Sequence, residues 1–473
     1  MASKRDQLHA HQFQVQRTVS ALVTRETDPE QPPFRRPGAA AFAGIGIAVV
    51  AMAAVGVYGL INPGGNDSWR DGESVIVEEE TGTRYVYLDE RLHPVANYTS
   101  ALLALGSNAK TASVSRDSLV DVPRGPRIGI PDAPDALPGT DRLLDGGWTM
   151  CSHPTADETG TVAPRSVMLV GMQPPADLGE QAVLAYVPET GERHLLLSGY
   201  RHEISRTDAV AVSLALRATP AIRVSPAVIE TIPAGKPIGP IAVPDIGKPS
   251  KAIPGRPELR NGQLVVVGTS AGSQHYLVEP TRLRPITELQ YDLQRGFAST
   301  AKAYPDAEVS GIVVGMIEVG STQQTSLPDP VDGDPPTVRP EFAEGGAPAT
   351  LCLTFDPGSS VPRFALDPAM PGIDPMMATP RHTDDGVALA DRVVVPPGGA
   401  AVVESMLSPS APAGTLVLVT DMGIGYPLAD RDVLPVLGYG NSEPVRLPAG
   451  VVSRIPMGSG LSHDAAMRRP PAV

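Results

Sequence analysis

The sequence predicts an α+β protein: a single N-terminal transmembrane helix followed by a large β-rich extracytoplasmic domain, built from four hairpin-helix repeats around a central β core. Three observations lead there. Residues 38–61, "GAAAFAGIGIAVVAMAAVGVYGLI", hold no charge. An apolar run, a short glycine-containing turn and a second apolar run recur at 75–88, 184–197, 266–279 and 416–429, the pattern of a β-hairpin. Proline (51) and glycine (47) in a chain of 473 residues are too frequent for a helical protein.

Residues 1–36 form a cytoplasmic arm. Within it Leu8, Val15, Val19 and Leu22 recur at spacings of 7, 4 and 3, which places them on one face of a helix. So short a segment has no core of its own, so this face is expected to bind a partner or the membrane surface. The transmembrane helix follows at 37–61, with its apolar run from Gly38 to Ile61. At 1.5 Å per residue this run is roughly 36 Å long, enough to cross a bilayer core with some tilt. A cleavable signal peptide does not fit, because a polar arm precedes the run and no small-residue cleavage site follows. Arg35-Arg36 on the near side and Asp67, Asp71, Glu73 and Glu78-Glu79-Glu80 on the far side predict a cytoplasmic N-terminus and an outer domain from residue 62 onward.

The outer part divides into repeat 1 (62–139), core segment A (140–180), repeat 2 (181–252), repeat 3 (253–299, with 391–410 as its completion), core segment B (300–390), and repeat 4 with the tail (411–473). Repeats 1 and 2 share Glu-Thr-Gly-x-Arg, at Glu80 to Arg84 and Glu189 to Arg193. In one register Tyr85, His194, Tyr276 and Tyr426 coincide. Leu92-His93-Pro94-Val95 then matches Leu283-Arg284-Pro285-Ile286 and Val433-Leu434-Pro435-Val436. Units close in an apolar-Pro-x-Gly turn, at Val122 to Gly125, Ile232 to Gly235 and Ile455 to Gly458. Repeats 1 and 2 are expected on one side of the core and 3 and 4 on the other, with the Pro/Asp-rich stretch 326–340 as a mobile loop.

The chemistry-bearing motifs are few. Gly268-Thr269-Ser270-Ala271-Gly272 is a G-x-S-x-G after an apolar run, but the return strand of a hairpin follows it and not the helix that a nucleophile elbow requires. Ser270 is therefore read as a turn residue, and no catalytic residue is assigned. No G-x-x-x-x-G-K-[ST] run exists: Gly235-Lys236 and Gly247-Lys248 are both followed by proline, so a phosphate cradle with its hydroxyl is missing. No histidine spacing suggests a metal pair, and no EF-hand loop is present. A net charge of −14 leaves no electrostatic footprint for nucleic acid. Cys151 and Cys352, both in the outer part, read as one disulfide in an oxidising compartment, with two buried free thiols as the alternative.

The start "MASKRDQLHAHQFQVQRTVSALVTRETDPEQPPFRRPG", the span after it, and the repeats with "DVPRGPRIGIPDAP" resemble the EccB family of the ESX, or type VII, secretion systems of actinobacteria. The resemblance implies a structural subunit of an inner-membrane complex with the ATPase EccC and the membrane proteins EccD and EccE. It also implies a periplasmic repeat domain that self-associates, and a cysteine pair corresponding to Cys151 and Cys352. Family members have been described as ATPases, so ATP is the one cofactor to test; no cofactor is read from the residues. An envelope-binding module that holds peptidoglycan is the remaining alternative.

Overall fold

The computed structural model describes residues 3–23, 25, 35–61, 68–156, 159–174, 177–205, 210, 214, 216, 219–270, 272–322, 327, 329–346, 348–372 and 378–471. Two helices come first, α1 (Lys4–Val23) and α2 (Arg35–Ile61). α1 starts where it does because Ser3 and Asp6 cap each other: the Asp6 N–H donates to Ser3 Oγ (3.3 Å) and the Ser3 N–H to Asp6 Oδ2 (3.0 Å), a reciprocal cap of the first turn.

The first sheet contains β1 (Ser74–Glu78), β2 (Arg84–Leu88), β3 (Arg91–Pro94) and β4 (Lys110–Val114), in the order β3-β2-β1-β4. Between β3 and β4 runs α3 (Tyr98–Leu105). It is capped by the Asn97 side chain, which accepts from the Ser100 N–H, and it is stopped by Gly106 at φ 66°, where only glycine adopts the left-handed turn at no cost. β4 returns parallel to β1 while the other neighbours are antiparallel.

β5 (Trp148–Ala156) and β6 (Val162–Leu169) open the central sheet. The second small sheet follows with β7 (Val183–Tyr186), β8 (Arg193–Leu197), β9 (Tyr200–Glu203), β10 (Ile222–Arg223) and the short α4 (Pro226–Ile229). The third has β11 (Leu264–Thr269), β12 (Gly272–Val278), β13 (Leu283–Ile286), α5 (Glu288–Gly296), β14 (Gly311–Val313) and α6 (Met316–Gly320). The chain then completes the central sheet with β15 (Leu351–Phe355), β16 (Arg363–Leu366) and β17 (Arg392–Val394), in the order β16-β15-β5-β6-β17. Last come β18 (Ala400–Met406), β19 (Thr415–Thr420), β20 (Gly425–Pro427), α7 (Val433–Val436), β21 (Val445–Pro448), α8 (Ala449–Val452) and α9 (His463–Ala466). All four small sheets have the strand order third, second, first, fourth, with a parallel return of the fourth strand onto the first.

Several boundaries differ from the sequence expectation. Residues 400–406 do not complete the third unit; they pair with β19 and β21 as the first strand of the last sheet. The hairpin at 416–429 is therefore strands two and three of its sheet, one strand later than the other three. The cause is the long 407–414 connection, which hides the partner of a hairpin that elsewhere turns within a few residues. Residues 433–436 consequently do not match Leu92-His93-Pro94-Val95; they are helical, and 425–428 take that place. Core segment B also loses 311–320 to the third sheet and gains β17.

Tyr426 is likewise not the counterpart of Tyr85. It stands on the third strand, where His93 and His202 stand in the first and second sheets. Each of these rings covers the glycine of an apolar-Pro-x-Gly turn. Gly125, Gly235 and Gly458 donate their N–H to the carbonyls of Leu92, Arg201 and Gly425, each at 2.9 Å. A β-carbon at any of the three would run into the ring of His93, His202 or Tyr426. Glycine is required there for close approach.

The packing order also differs. One cluster joins the central sheet (Trp148, Met150, Leu353, Phe355) to one face of the second sheet (Val183, Ala185, Val228) and of the fourth (Val403, Val417, Val452). The opposite face of the fourth (Val402, Leu418) shares a core with Val75, Val86 and Leu102 of the first. The opposite face of the second (Leu184, Leu195) shares one with Leu289 and Leu293 of α5. The array thus runs third, second, central, fourth, first; units 1 and 2 do not flank one side together.

Candidate functional site

Ser270 lies in the turn between β11 and β12, as its surroundings predict. Both Gly-Lys pairs are consumed by the fold. The Lys236 N–H donates to Gly333 O (2.8 Å) and its ammonium meets Asp334 (2.6 Å), while Lys248 meets Asp245 (2.8 Å). Those contacts correct the expected mobile loop. Within 326–340, Ser326 and Pro328 lie outside the described residues, but Gly333, Asp334 and Thr337 are tied to the second and third sheets, Thr337 O accepting from the Leu289 N–H at 3.0 Å. Sequence reading missed this because the partners lie 48 to 98 positions away, Leu289 from Thr337 and Lys236 from Asp334. No group of three or more His, Cys, Asp or Glu able to hold a metal occurs among the described residues.

Buried titratable groups serve the scaffold. Burial pushes the His194 and His202 imidazoles below their usual range, and His202 Nδ1 lies 2.9 Å from Lys236 O. Burial pushes the Tyr304 and Tyr439 hydroxyls up to about 12. Tyr304 Oη accepts from the Leu264 N–H (2.7 Å) and donates to Ser310 O (2.8 Å), tying the first strand of the third sheet to the approach of its fourth. Glu78, on the first sheet, is held below the usual carboxylate range by the Arg116 guanidinium at 2.8 Å.

Cys151 and Cys352 form a disulfide. They are directly paired residues on β5 and β15, on the face of the central sheet that packs Val167, Leu169 and Ala365. The period-2 alternation that sends Trp148 and Met150 into the main core sends Cys151 to this opposite face.

α2 is apolar from Gly38 to Tyr58 and none of that stretch is buried. Its length and composition suit a bilayer crossing, in agreement with the predicted Gly38–Ile61 run. In α1, Leu8, Val15 and Leu22 are exposed by 56%, 47% and 79%, and Val19 is half-buried. Phe13, exposed and with the Arg17 guanidinium 5.9 Å from its ring centre, adds apolar surface that the chosen spacing omitted.

Comparison with known proteins agrees over the whole chain. The family described as "Type VII secretion system ESX-1, transport TM domain B" matches residues 1–472. The ESX-2 secretion system ATPase EccB2 of Mycobacterium tuberculosis is 28% identical over 98% of this chain and 94% of its own length. The ESX-3 secretion system ATPase EccB3 of Mycolicibacterium smegmatis is 26% identical over 98% and 92%. Among solved structures, a chain of the intact ESX-5 inner membrane complex superposes with a TM-score of 0.63 at 22% identity, covering 100% of this chain and 96% of that one. The EccB3 dimer from the ESX-3 core complex gives 0.63 at 24% identity, over 83% and 99%. A candidate membrane helix, a sheet-rich domain of the same fold and a match from end to end make one case: this chain belongs to the EccB family, the transmembrane B component of the ESX or type VII secretion systems.

Proposed function

We propose that the chain acts as a structural subunit of its secretion complex, anchored by α2 with residues 1–36 in the cytoplasm and the sheet domain outside. The observation that carries this reading is the division of the chain by one unburied apolar helix into a short arm with an exposed apolar face and a large sheet domain. The disulfide supports an oxidising compartment for that domain, and the Arg35-Arg36 flank supports the orientation. A reporter active only outside the cytoplasm, fused after Val473, should be active; activity of a cytoplasm-only reporter instead would refute the orientation. The four small sheets are read as copies of one unit, supported by their common strand order and by the ring-over-glycine contact in three of them.

The arm is read as the assembly element on the cytoplasmic side, where the resemblance points to EccC, EccD and EccE as partners. Val15→Asp with Val19→Asp places two charges in an apolar contact, costing several kcal/mol, on the order of the penalty for burying unpaired polar groups. Co-purification of the membrane partners in mild detergent and secretion should both fall, with the sheet domain folded. Normal co-purification of the double variant would show that the arm does not assemble the complex. Nucleotide hydrolysis is a second reading, favoured by the names of the relatives; its test is phosphate release from ATP by the purified full chain.

A further inference from the structure

We infer that the outer edge of β13, the third strand of the third sheet, is a binding site for an extended peptide of apolar-Pro-x-Gly sequence presented by a different polypeptide. In the order third, second, first, fourth, the third strand is an edge of every small sheet, and edges left bare invite pairing. In the other three sheets the chain covers this edge itself, with the segment that holds the apolar-Pro-x-Gly turn. The segment lies parallel to the strand: Arg124 and Ile128 bridge Leu92 and Val95, Ala234 and Ile238 bridge Arg201 and Ile204, and Met457 and Leu461 bridge Gly425 and Leu428. The hydrogen bonds repeat as well. The Leu92, Arg201 and Gly425 N–H groups donate to Pro123, Pro233 and Pro456 O (2.9, 3.0 and 3.0 Å), and the glycine of each turn donates back. No bridge reaches the outer edge of β13 among the described residues.

The sequence of the third unit differs at the turn that would close it. The counterpart reads Leu327-Pro328-Asp329-Pro330, with proline where the others have glycine, so the N–H that donates back to the strand is missing. It also begins at Leu327 after a helix that ends at Gly320, whereas Ile232 and Ile455 follow closely on helices that end at Ile229 and Val452. The strand itself keeps the common register. Tyr276 pairs with Pro285 as Tyr85 pairs with Pro94, so Leu283 stands in the place of Leu92 and Thr287 in the place of Ala96. The Glu279 N–H donates to Arg282 O, and alternation therefore turns the Leu283 N–H outward. In the first sheet both positions donate to the covering segment, Ala96 to Ile128 O at 3.0 Å. The Leu283 and Thr287 N–H groups have no such acceptor among the described residues.

What fits this edge is shown by the sister units. Ile128, Ile238 and Leu461 are buried where they pass the end of the third strand. At the same place, beside Ile286 and Thr287, the third unit has an open groove of about 380 Å³ whose far wall holds Thr337 and the exposed Val338. A strand added here gains main-chain bonds along the edge and an apolar site for one side chain, the way extended peptides join sheet edges. The charge of Arg284 is no bar, because Arg201 lies on the covered edge of β9. The chain's own three segments of this kind are already in place on their sheets, so the donor is another polypeptide and not a second copy.

The probe is a labelled synthetic peptide with the sequence of residues 230–239, "ETIPAGKPIG", added to the purified full chain in mild detergent and followed by fluorescence anisotropy and hydrogen exchange. Saturable binding is expected, with protection gained over residues 283–288. The same peptide carrying Gly235→Pro lacks the returning N–H and should bind at least tenfold more weakly. Val338→Asp in the chain puts a charge on the groove wall at an exposed position, and should weaken the unmodified peptide at least tenfold with the melting temperature unchanged. No saturable binding, equal binding of the proline peptide, equal binding by the Val338→Asp chain, or binding without protection of 283–288 each overturns the proposal. None of these readouts depends on the arm or on the orientation of α2, so their failure and a failure of the structural-subunit reading are told apart.

Discussion

The first and third sheets stand at opposite ends of the array, have the same strand order, and are finished in different ways. At the first end Trp69, from the 3-10 turn Ser68–Asp71, is buried against Ile76, Leu92 and Leu119. Its ring meets Tyr87 edge-on at 5.6 Å. At the third end Ala252, Ile253 and Leu259 cover part of the equivalent face, and the α6 tip stays bare. Terminal units of a stacked array must be capped, because they have no neighbour on one side. One end is closed by a large aromatic residue from the chain that leaves the membrane helix, and the other is left partly open. What closes a unit is thus a property of its position in the array, and not of the unit.

The two ends are joined through the central sheet, so perturbations there should act on both. The largest effect is expected from Cys151→Ser with Cys352→Ser. Removing a cross-link that closes so long a loop should cost about 5 kcal/mol in the chain-entropy model, read as a lower denaturant midpoint, with both ends losing hydrogen-exchange protection alike. Loss at one end only would mean that the central sheet does not couple them. Trp69→Ala should come next, at about 3–5 kcal/mol for a buried aromatic, and its loss of protection should stay within the first and fourth sheets. If the third sheet opened as well, the ends would not be independent.

Gly235→Ala sharpens the contrast on a smaller scale. Its β-carbon would lie 2.5 Å from the His202 ring and 2.9 Å from Gly333 O, so a cost of about 1–3 kcal/mol is expected from overpacking. Gly320→Ala, at the open end, meets nothing within 4 Å and should change stability by less than about 0.5 kcal/mol. The smallest effect is a pH dependence in the second sheet. Burial lowers the folded-state pKa of His194 and His202, so the unfolded chain binds protons that the folded chain resists. Stability from these groups is fully present above about pH 6.5 and is lost as pH falls below it toward the depressed folded values. Melting temperatures at pH 7.5 and 5.5 should show the decrease, and substituting both histidines by Phe should flatten it.

Much of the molecule was legible before folding. The uncharged run at 38–61 is α2, and the hairpins at 75–88, 184–197 and 266–279 are pairs of first and second strands. The surroundings of Ser270 correctly marked a turn. These features are local: an apolar run, an alternation or a glycine in a turn sets its own backbone within a few residues, whatever lies elsewhere.

The order of the array was not legible. The small sheets are buried on both faces, as Val183 and Leu184 show by pointing into different cores, and an apolar run of that kind does not state which face meets which neighbour. The same limit hid the partner of β19 across the 407–414 connection and the docking of Gly333 and Asp334 on Lys236. Sequence by itself determined the span, the hairpins, the acidic character and the presence of two cysteines. Tertiary structure decided that the second and fourth sheets flank the centre, that Cys151 and Cys352 pair across adjacent strands, and that β13 keeps its open edge. Local preference is set by covalent neighbours, whereas packing is set by which apolar surfaces fit after loops of very different length have closed.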